Sequence, residues 1–160
     1  MAHGHSDALV ALLSASGRPF SVLEHVEARS AEDAAAARGT PLLLGGKSVL
    51  MRVERMGEVV VVVGSDRKII GRLLRKALGV QRYRFSTPEE LRSLTGLAYG
   101  ELPAWASPLF AATLVVGEDF AAREELVFAA ASATRSIRMR VSDWLAVARP
   151  RVVAPFTEPA

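Results

Sequence analysis

The sequence predicts an α+β fold of the mixed α/β kind, a single domain with a central mixed β-sheet flanked by helices. Three observations carry this expectation. Strand-like runs outnumber helical ones and do not alternate strictly with them. Residues 59–63 are five consecutive valines, a β-branched run that reads as a strand covered on both faces. The chain has 160 residues, half of them hydrophobic, enough apolar material for one compact core.

The elements follow in order. Ser6 or Asp7 caps a first helix running to residue 15, with Leu9, Leu12 and Leu13 at helical spacing. Gly17 and Pro19 end it, and residues 19–26 read as a strand that enters His25. Ser30-Ala-Glu-Asp33 has the form of a capping box and opens an alanine-rich helix that stops near Gly39. Residues 48–53 and 58–63 are strands joined by a hairpin turn at 55–57. Asp66 can cap a helix running to Leu78, with Ile69, Ile70, Leu73, Leu74 and Leu78 on one side and cations on the other; Gly79 closes it.

Residues 82–85 form a short strand. Thr87-Pro-Glu-Glu90 supplies a capping threonine, a proline at the first helical position and a glutamate at the third, and the helix ends by Gly96. Residues 96–108 contain Gly96, Gly100, Pro103 and Pro108, too broken for regular structure, and a loop of that length in a compact domain is often functional. Residues 114–116, 126–131 and 136–140 read as strands, and Ser142 caps a last helix through Ala148. The domain is expected to span residues 1–148, and residues 149–160, with three prolines, to be a mobile end.

Composition excludes several classes. A charged fraction of 23% beside the high apolar content is not that of a disordered chain. No apolar run approaches the roughly 20 residues of a membrane span. Cysteine is absent, which removes disulfides, thiolate metal sites and a cysteine nucleophile. The first residues carry no basic segment followed by an apolar one, so no signal peptide is read and a cytoplasmic location is expected, with no membrane partner. Only three of the 20 cations are lysines, and seven cations without an acid fall between Arg67 and Arg84. Such a local field suits a polyanion; a solvated helix face is the plainer alternative.

Gly45-Gly46-Lys47-Ser48 is not a phosphate-binding loop. The position of the first glycine of that pattern is Pro41, and the residues after Ser48 favour a strand rather than a helix. Lys47 stands out because this chain otherwise uses arginine, and a lysine between a glycine pair and an apolar strand is a compact cation able to meet a carbonyl or phosphate. His25 is a candidate general base or a hydrogen-bonded structural histidine. Neither a catalytic triad nor a metal-ligand cluster can be argued from spacing. Trp105 and Phe110 are candidates for stacking on a base or for the core.

Taken together, Glu24-His25 before Ser30-Ala-Glu-Asp-Ala-Ala, Gly46-Lys47-Ser48-Val49-Leu50, Val60 to Val63 into Gly64-Ser65-Asp66-Arg67-Lys68, Ser86-Thr-Pro-Glu-Glu-Leu91, Leu94-Thr-Gly96, Gly100-Glu-Leu-Pro103, Ser136-Ile-Arg-Met and Asp143-Trp144-Leu145 resemble, in order, the YbaK / prolyl-tRNA synthetase-associated domain family. Its members are free-standing aminoacyl-tRNA deacylases. The likeness runs from about residue 20 to residue 147. It implies a pocket that receives the aminoacylated 3′ end of a mischarged tRNA, and it makes Lys47 the family's characteristic lysine, at the terminal adenosine or ester. Gly100 and Pro103 match the start of the family's Gly-x-x-Pro-Pro loop, whose second proline is Ala104 here; Gly117 and Ala131 stand where aspartate and glycine are common.

The resemblance implies editing in trans, hydrolysing tRNA for proline that carries a small non-cognate residue such as alanine or cysteine, with serine, threonine or another amino acid still open because Ala104 replaces the second proline. Prolyl-tRNA synthetase is the protein partner it names. No nucleophile is evident, which fits a mechanism in which the tRNA's own hydroxyl helps activate water while the protein orients the ester and stabilises the oxyanion. Lys47 is the candidate catalytic residue; His25, Gly46, Ser48, Ser65, Gly100, Pro103, Ala131 and Ser132 are the candidate pocket. Arg67, Lys68, Arg72, Arg75 and Lys76 would hold acceptor-stem phosphates. No cofactor and no metal are expected. The alternatives are a non-catalytic tRNA-binding module of the same fold and a hydrolase of amino-acid esters lacking RNA.

Overall fold

The computed structural model describes residues 4–160; residues 1–3, part of the segment read as carrying no signal peptide, lie outside the described residues. The expected class holds: a mixed α/β single domain. It contains two larger sheets rather than one. A five-stranded mixed sheet runs β5-β2-β3-β6-β9 (β2 Gly46–Val53, β3 Gly57–Gly64, β5 Tyr83–Phe85, β6 Thr113–Gly117, β9 Val152–Ala154). A three-stranded antiparallel sheet runs β1-β8-β7 (β1 Phe20–Glu24, β7 Glu125–Ala129, β8 Arg135–Arg140). A parallel bridge from Gly45 to Val127 joins the two at the start of β2. Among the described residues no helix is long and apolar enough to cross a membrane.

The valine run is the centre of the molecule. All five valines of β3 are fully buried, and the strand's period of two divides them between two cores. Val60 and Val62 face the larger core, with Leu50, Leu114, Leu126, Phe128, Ile137, Trp105 and Trp144. Val59, Val61 and Val63 face a smaller one, with Met51, Val53, Val115, Leu74 and Phe156. Helices α1 (Gly4–Ser16) and α6 (Val141–Ala148) close the larger core, and α3 (Gly71–Leu78) closes the smaller.

Turn chemistry sets the boundaries. Ser30 caps α2 (Ala31–Arg38) by accepting from the Asp33 amide, and Gly39 ends it in the left-handed conformation. Thr87 and Glu90 form a reciprocal capping box at the start of α4 (Pro88–Thr95). Arg55 and Gly57 adopt positive φ in the β2–β3 hairpin.

Four expectations need correction. The first helix begins at Gly4, so Ser6 and Asp7 lie inside it, where Arg135 bonds both. Asp66 caps no helix: it pairs with Arg123, residues Arg67–Ile69 form β4, and α3 begins only at Gly71. Asp66 and the strand after it are recruited by partners far away in sequence, which local pattern does not reveal. Helix α6 starts after Arg140, so Ser142 is not its cap. Residues 149–160, expected to be a mobile end, carry β9, parallel to β6, and β10 (Thr157–Pro159), antiparallel to β4. Phe156 between them is fully buried, and burial of that ring offsets the entropy of ordering the segment.

Candidate functional site

The start of β2 brings the site together. The helical turn Leu42–Leu44 is held by Arg123, whose Nη1 donates to the Leu43 carbonyl at 2.7 Å while the guanidinium pairs with Asp66 and Asp119. Burial acts to lower the Arg123 pKa, but the hydrogen bonds its guanidinium donates to the Asp66 and Asp119 carboxylates outweigh it and raise the value. Beyond this turn Gly45 accepts from the Ser65 amide at 2.8 Å. A side chain at Gly46 would meet Phe120 at 2.8 Å, so glycine lets β2 pass close to the core before it presents Lys47.

Lys47 and Ser48 line a cavity of about 120 Å³ together with Gly46, Val49 and Ser65. The opposite wall comes from Ser30, the cap of α2, from Ala31, Ala34 and Arg38 of that helix, and from His25, Ala129 and Ser136 of the three-stranded sheet and its edge. Tyr99, Gly100 and Leu102 close a third side. Gly100 has φ of 87°, and a β-carbon on it would stand 2.5 Å from the Arg29 carbonyl oxygen; only glycine allows the loop to pack there.

The lining is cationic. It holds Arg29, Arg38 and Lys47 and no carboxylate. Arg29 is neutralised from outside by Glu101 at 3.0 Å and Glu27 at 3.6 Å. Neither Arg38 nor Lys47 has a carboxylate within ion-pair distance among the described residues. Ser48 Oγ is enclosed without a hydrogen-bond partner, an unsatisfied polar atom beside the cavity.

On the far wall His25 Nδ1 lies 2.8 Å from the Val26 carbonyl, and Nε2 lies 2.8 Å from Ser136 Oγ. A carbonyl only accepts, so Nδ1 carries the proton. Arg38 Nε donates to the same Ser136 Oγ at 2.7 Å, and the serine's own proton then goes to His25 Nε2. Ser136 is fully buried and the histidine's other nitrogen faces a backbone carbonyl, not a carboxylate. The three side chains form a polar chain, Arg38 to Ser136 to His25, that fixes this wall.

Seven of the expected site residues meet at the cavity: Lys47, His25, Gly46, Ser48, Ser65, Gly100 and Ser132. Pro103 is buried and lines no part of it. Ala131, at φ 57°, lines a neighbouring cleft with Ser132, Thr134 and Glu101. Trp105 and Phe110 belong to the core and are not open to a base. Ala104 and Gly117 also stand away from the cavity: the Ala104 carbonyl accepts from Trp144 Nε1, and Gly117 lies against Thr157 and Val63. The sequence reading missed Arg38, Ser136, Arg29 and Tyr99, which is 75% exposed at the cavity.

The expected phosphate-binding cations separate into two groups. Arg67 bonds Thr157 and pairs with Asp119, and Lys68 pairs with Glu158; both are occupied in tying β4 to β10. Arg72, Arg75 and Lys76 of α3 are exposed and free of carboxylates among the described residues. None of the five lines the cavity. No group of three His, Asp or Glu side chains among the described residues could hold a metal ion.

The chain belongs to the aminoacyl-tRNA editing domain family, which it matches over residues 25–147. It is thus an enzyme of the aminoacyl-tRNA deacylase class. It is 28% identical over 151 residues to the multifunctional Ser/Thr-tRNA deacylase ProXp-y of Escherichia coli K12, covering 91% of this chain and 89% of that protein. Its fold is similar to a crystal structure of a candidate trans-editing enzyme for prolyl-tRNA synthetase, with TM-score 0.81, 24% identity and 97% and 98% of the two chains covered. It is equally close to that of hypothetical protein APE2540, with TM-score 0.82, 20% identity and 94% and 99% covered.

Proposed function

We propose that this protein edits in trans, hydrolysing the ester that joins a small, hydroxyl-bearing amino acid, serine or threonine, to the 3′ end of a tRNA. One observation carries the reading: Ser30, Ser48, Ser65, Ser132 and Ser136 surround Lys47 in a cavity of about 120 Å³. Such a site offers several polar groups to a small side chain. A site whose polar groups pair with a substrate hydroxyl rejects the analogue lacking it far better than an apolar pocket rejects one methylene. The unpartnered Ser48 Oγ favours a hydroxyl over the alanine or cysteine that the family resemblance implies. The naming of the Escherichia coli relative as a Ser/Thr-tRNA deacylase supports the same choice.

The chain supplies orientation and charge rather than a nucleophile. Lys47, with no counter-ion at the cavity, stabilises the oxyanion that develops as water attacks the ester carbonyl, and backbone N–H groups around Gly100 assist. The terminal ribose hydroxyl positions that water. Arg72, Arg75 and Lys76 take acceptor-stem phosphates, which makes affinity salt-dependent. The structural likeness to a candidate trans-editing enzyme supports tRNA for proline and prolyl-tRNA synthetase as partners.

The test is turnover of tRNAs charged with serine, threonine, alanine, cysteine and proline. Hydrolysis of the seryl and threonyl species, with prolyl-tRNA spared, is the expected result. Hydrolysis of alanyl or cysteinyl tRNA for proline in their place would return the substrate to the apolar class, and no turnover by folded protein would favour a tRNA-binding module.

A further inference from the structure

Arg38 is set apart from every other arginine of the chain. Each of the others is either paired with a carboxylate or exposed to solvent. Arg38 is half-buried and has no carboxylate partner among the described residues. It sits in the last turn of α2, on the face where Ala31 and Ala34 also line the cavity.

Its guanidinium is held rigidly on one edge. Nε donates to the fully buried Ser136 Oγ at 2.7 Å, and that oxygen is in turn 2.8 Å from His25 Nε2. The remaining N–H donors on Nη1 and Nη2 have no protein acceptor among the described residues. Burial lowers the Arg38 pKa to about 10, so the group stays charged at neutral pH and carries a desolvation cost that no protein anion offsets. A planar fork with free donors in a carboxylate-free cavity matches an oxygen anion.

We propose that Arg38 is a second substrate-binding cation of this cavity, taking an anionic oxygen of the aminoacylated terminal nucleotide: its phosphate, or the oxyanion that forms at the ester. The proposal rests on the aminoacyl-tRNA reading of the site above. It adds to Lys47 a contact on the opposite wall, so that the nucleotide end is gripped from β2 and from α2.

The test uses the full chain with Arg38→Gln and Arg38→Lys. The probes are 3′-serylamino-3′-deoxyadenosine with and without a 5′-phosphate, neither of which can be hydrolysed as an ester, and seryl-tRNA turnover is measured beside them. Loss of a charge-assisted hydrogen bond is expected to weaken probe binding by Arg38→Gln about tenfold or more, with part of it recovered in Arg38→Lys. A loss confined to the phosphorylated probe assigns the phosphate. Binding unchanged for both probes while kcat falls, with rescue by lysine, assigns the ester oxyanion. Where Arg38→Gln fails to fold, Arg38→Lys carries the comparison, since it keeps the charge and loses the fork. Binding and turnover unchanged in both variants overturn the proposal and leave the deacylase reading standing. Arg38-dependent probe binding by wild-type protein that turns over no charged tRNA overturns the deacylase reading and keeps the proposal. Wild-type protein that binds neither probe and turns over nothing overturns both.

Discussion

Gly100 packs against the backbone of Arg29 so closely that a β-carbon would stand 2.5 Å from the Arg29 carbonyl oxygen and 2.8 Å from its α-carbon. The contact joins the long loop after α4 to the segment leading into α2, two walls of the cavity. Gly100→Ala combines a positive-φ penalty with this clash, and a cost of about 1–3 kcal/mol is expected. Urea denaturation reads the stability loss, and turnover falls with it because the wall moves.

Phe156 fills the smaller core from the C-terminal strands. Phe156→Ala is expected to cost about 3–5 kcal/mol, measured by chemical denaturation. A change under about 1 kcal/mol, as at a surface site, would mean that residues 149–160 are not part of the folded unit.

Much of the fold was legible because its signals are local. Five consecutive valines, the Thr87 capping box and the Gly39, Gly79 and Gly96 helix ends all act within a few residues. What escaped was set by distant partners. Arg123 recruits Asp66 away from a capping role, and Phe156 gains a core that only the assembled sheet provides. The cavity shows the same division. Lys47 was marked by its glycine neighbours and the family likeness, whereas Arg38 looks in sequence like the ordinary cationic end of an alanine-rich helix. Its meaning comes from Ser136, which lies 98 positions away.

Glu90 gives a pH signature. Hydrogen bonds from the Arg84 guanidinium at 2.7 and 2.8 Å, then from the Thr87 amide, hold its carboxyl down to about 2. A depressed folded-state value contributes stability above the unfolded value of 4.5, and that contribution is lost as pH falls from there toward 2. Glu90→Gln is expected to lower Tm at neutral pH, with the gap to wild type closing across that acid window. A gap that persists unchanged at the bottom of the window would assign the effect to something other than the charge.

The cations of β4 and α3 are expected to behave differently. Reversing Arg72, Arg75 or Lys76 to glutamate weakens tRNA binding across sequences, and neutralising each lowers the salt slope by about one unit. Arg67→Ala, by breaking its bonds to Thr157, is expected to act on stability. Filter binding across a salt series, beside thermal unfolding, separates the two; equal salt slopes for all of them would remove α3 from the RNA interface.

The central claim is that Lys47 acts on the substrate's reacting end, and single-turnover deacylation of seryl-tRNA by wild-type protein and Lys47→Ala tests it most directly. Loss of one preorganised oxyanion contact is expected to cut the rate by about 10²–10³, with tRNA affinity and Tm held near wild type. A Lys47→Ala protein that hydrolyses seryl-tRNA at the wild-type rate would contradict the account.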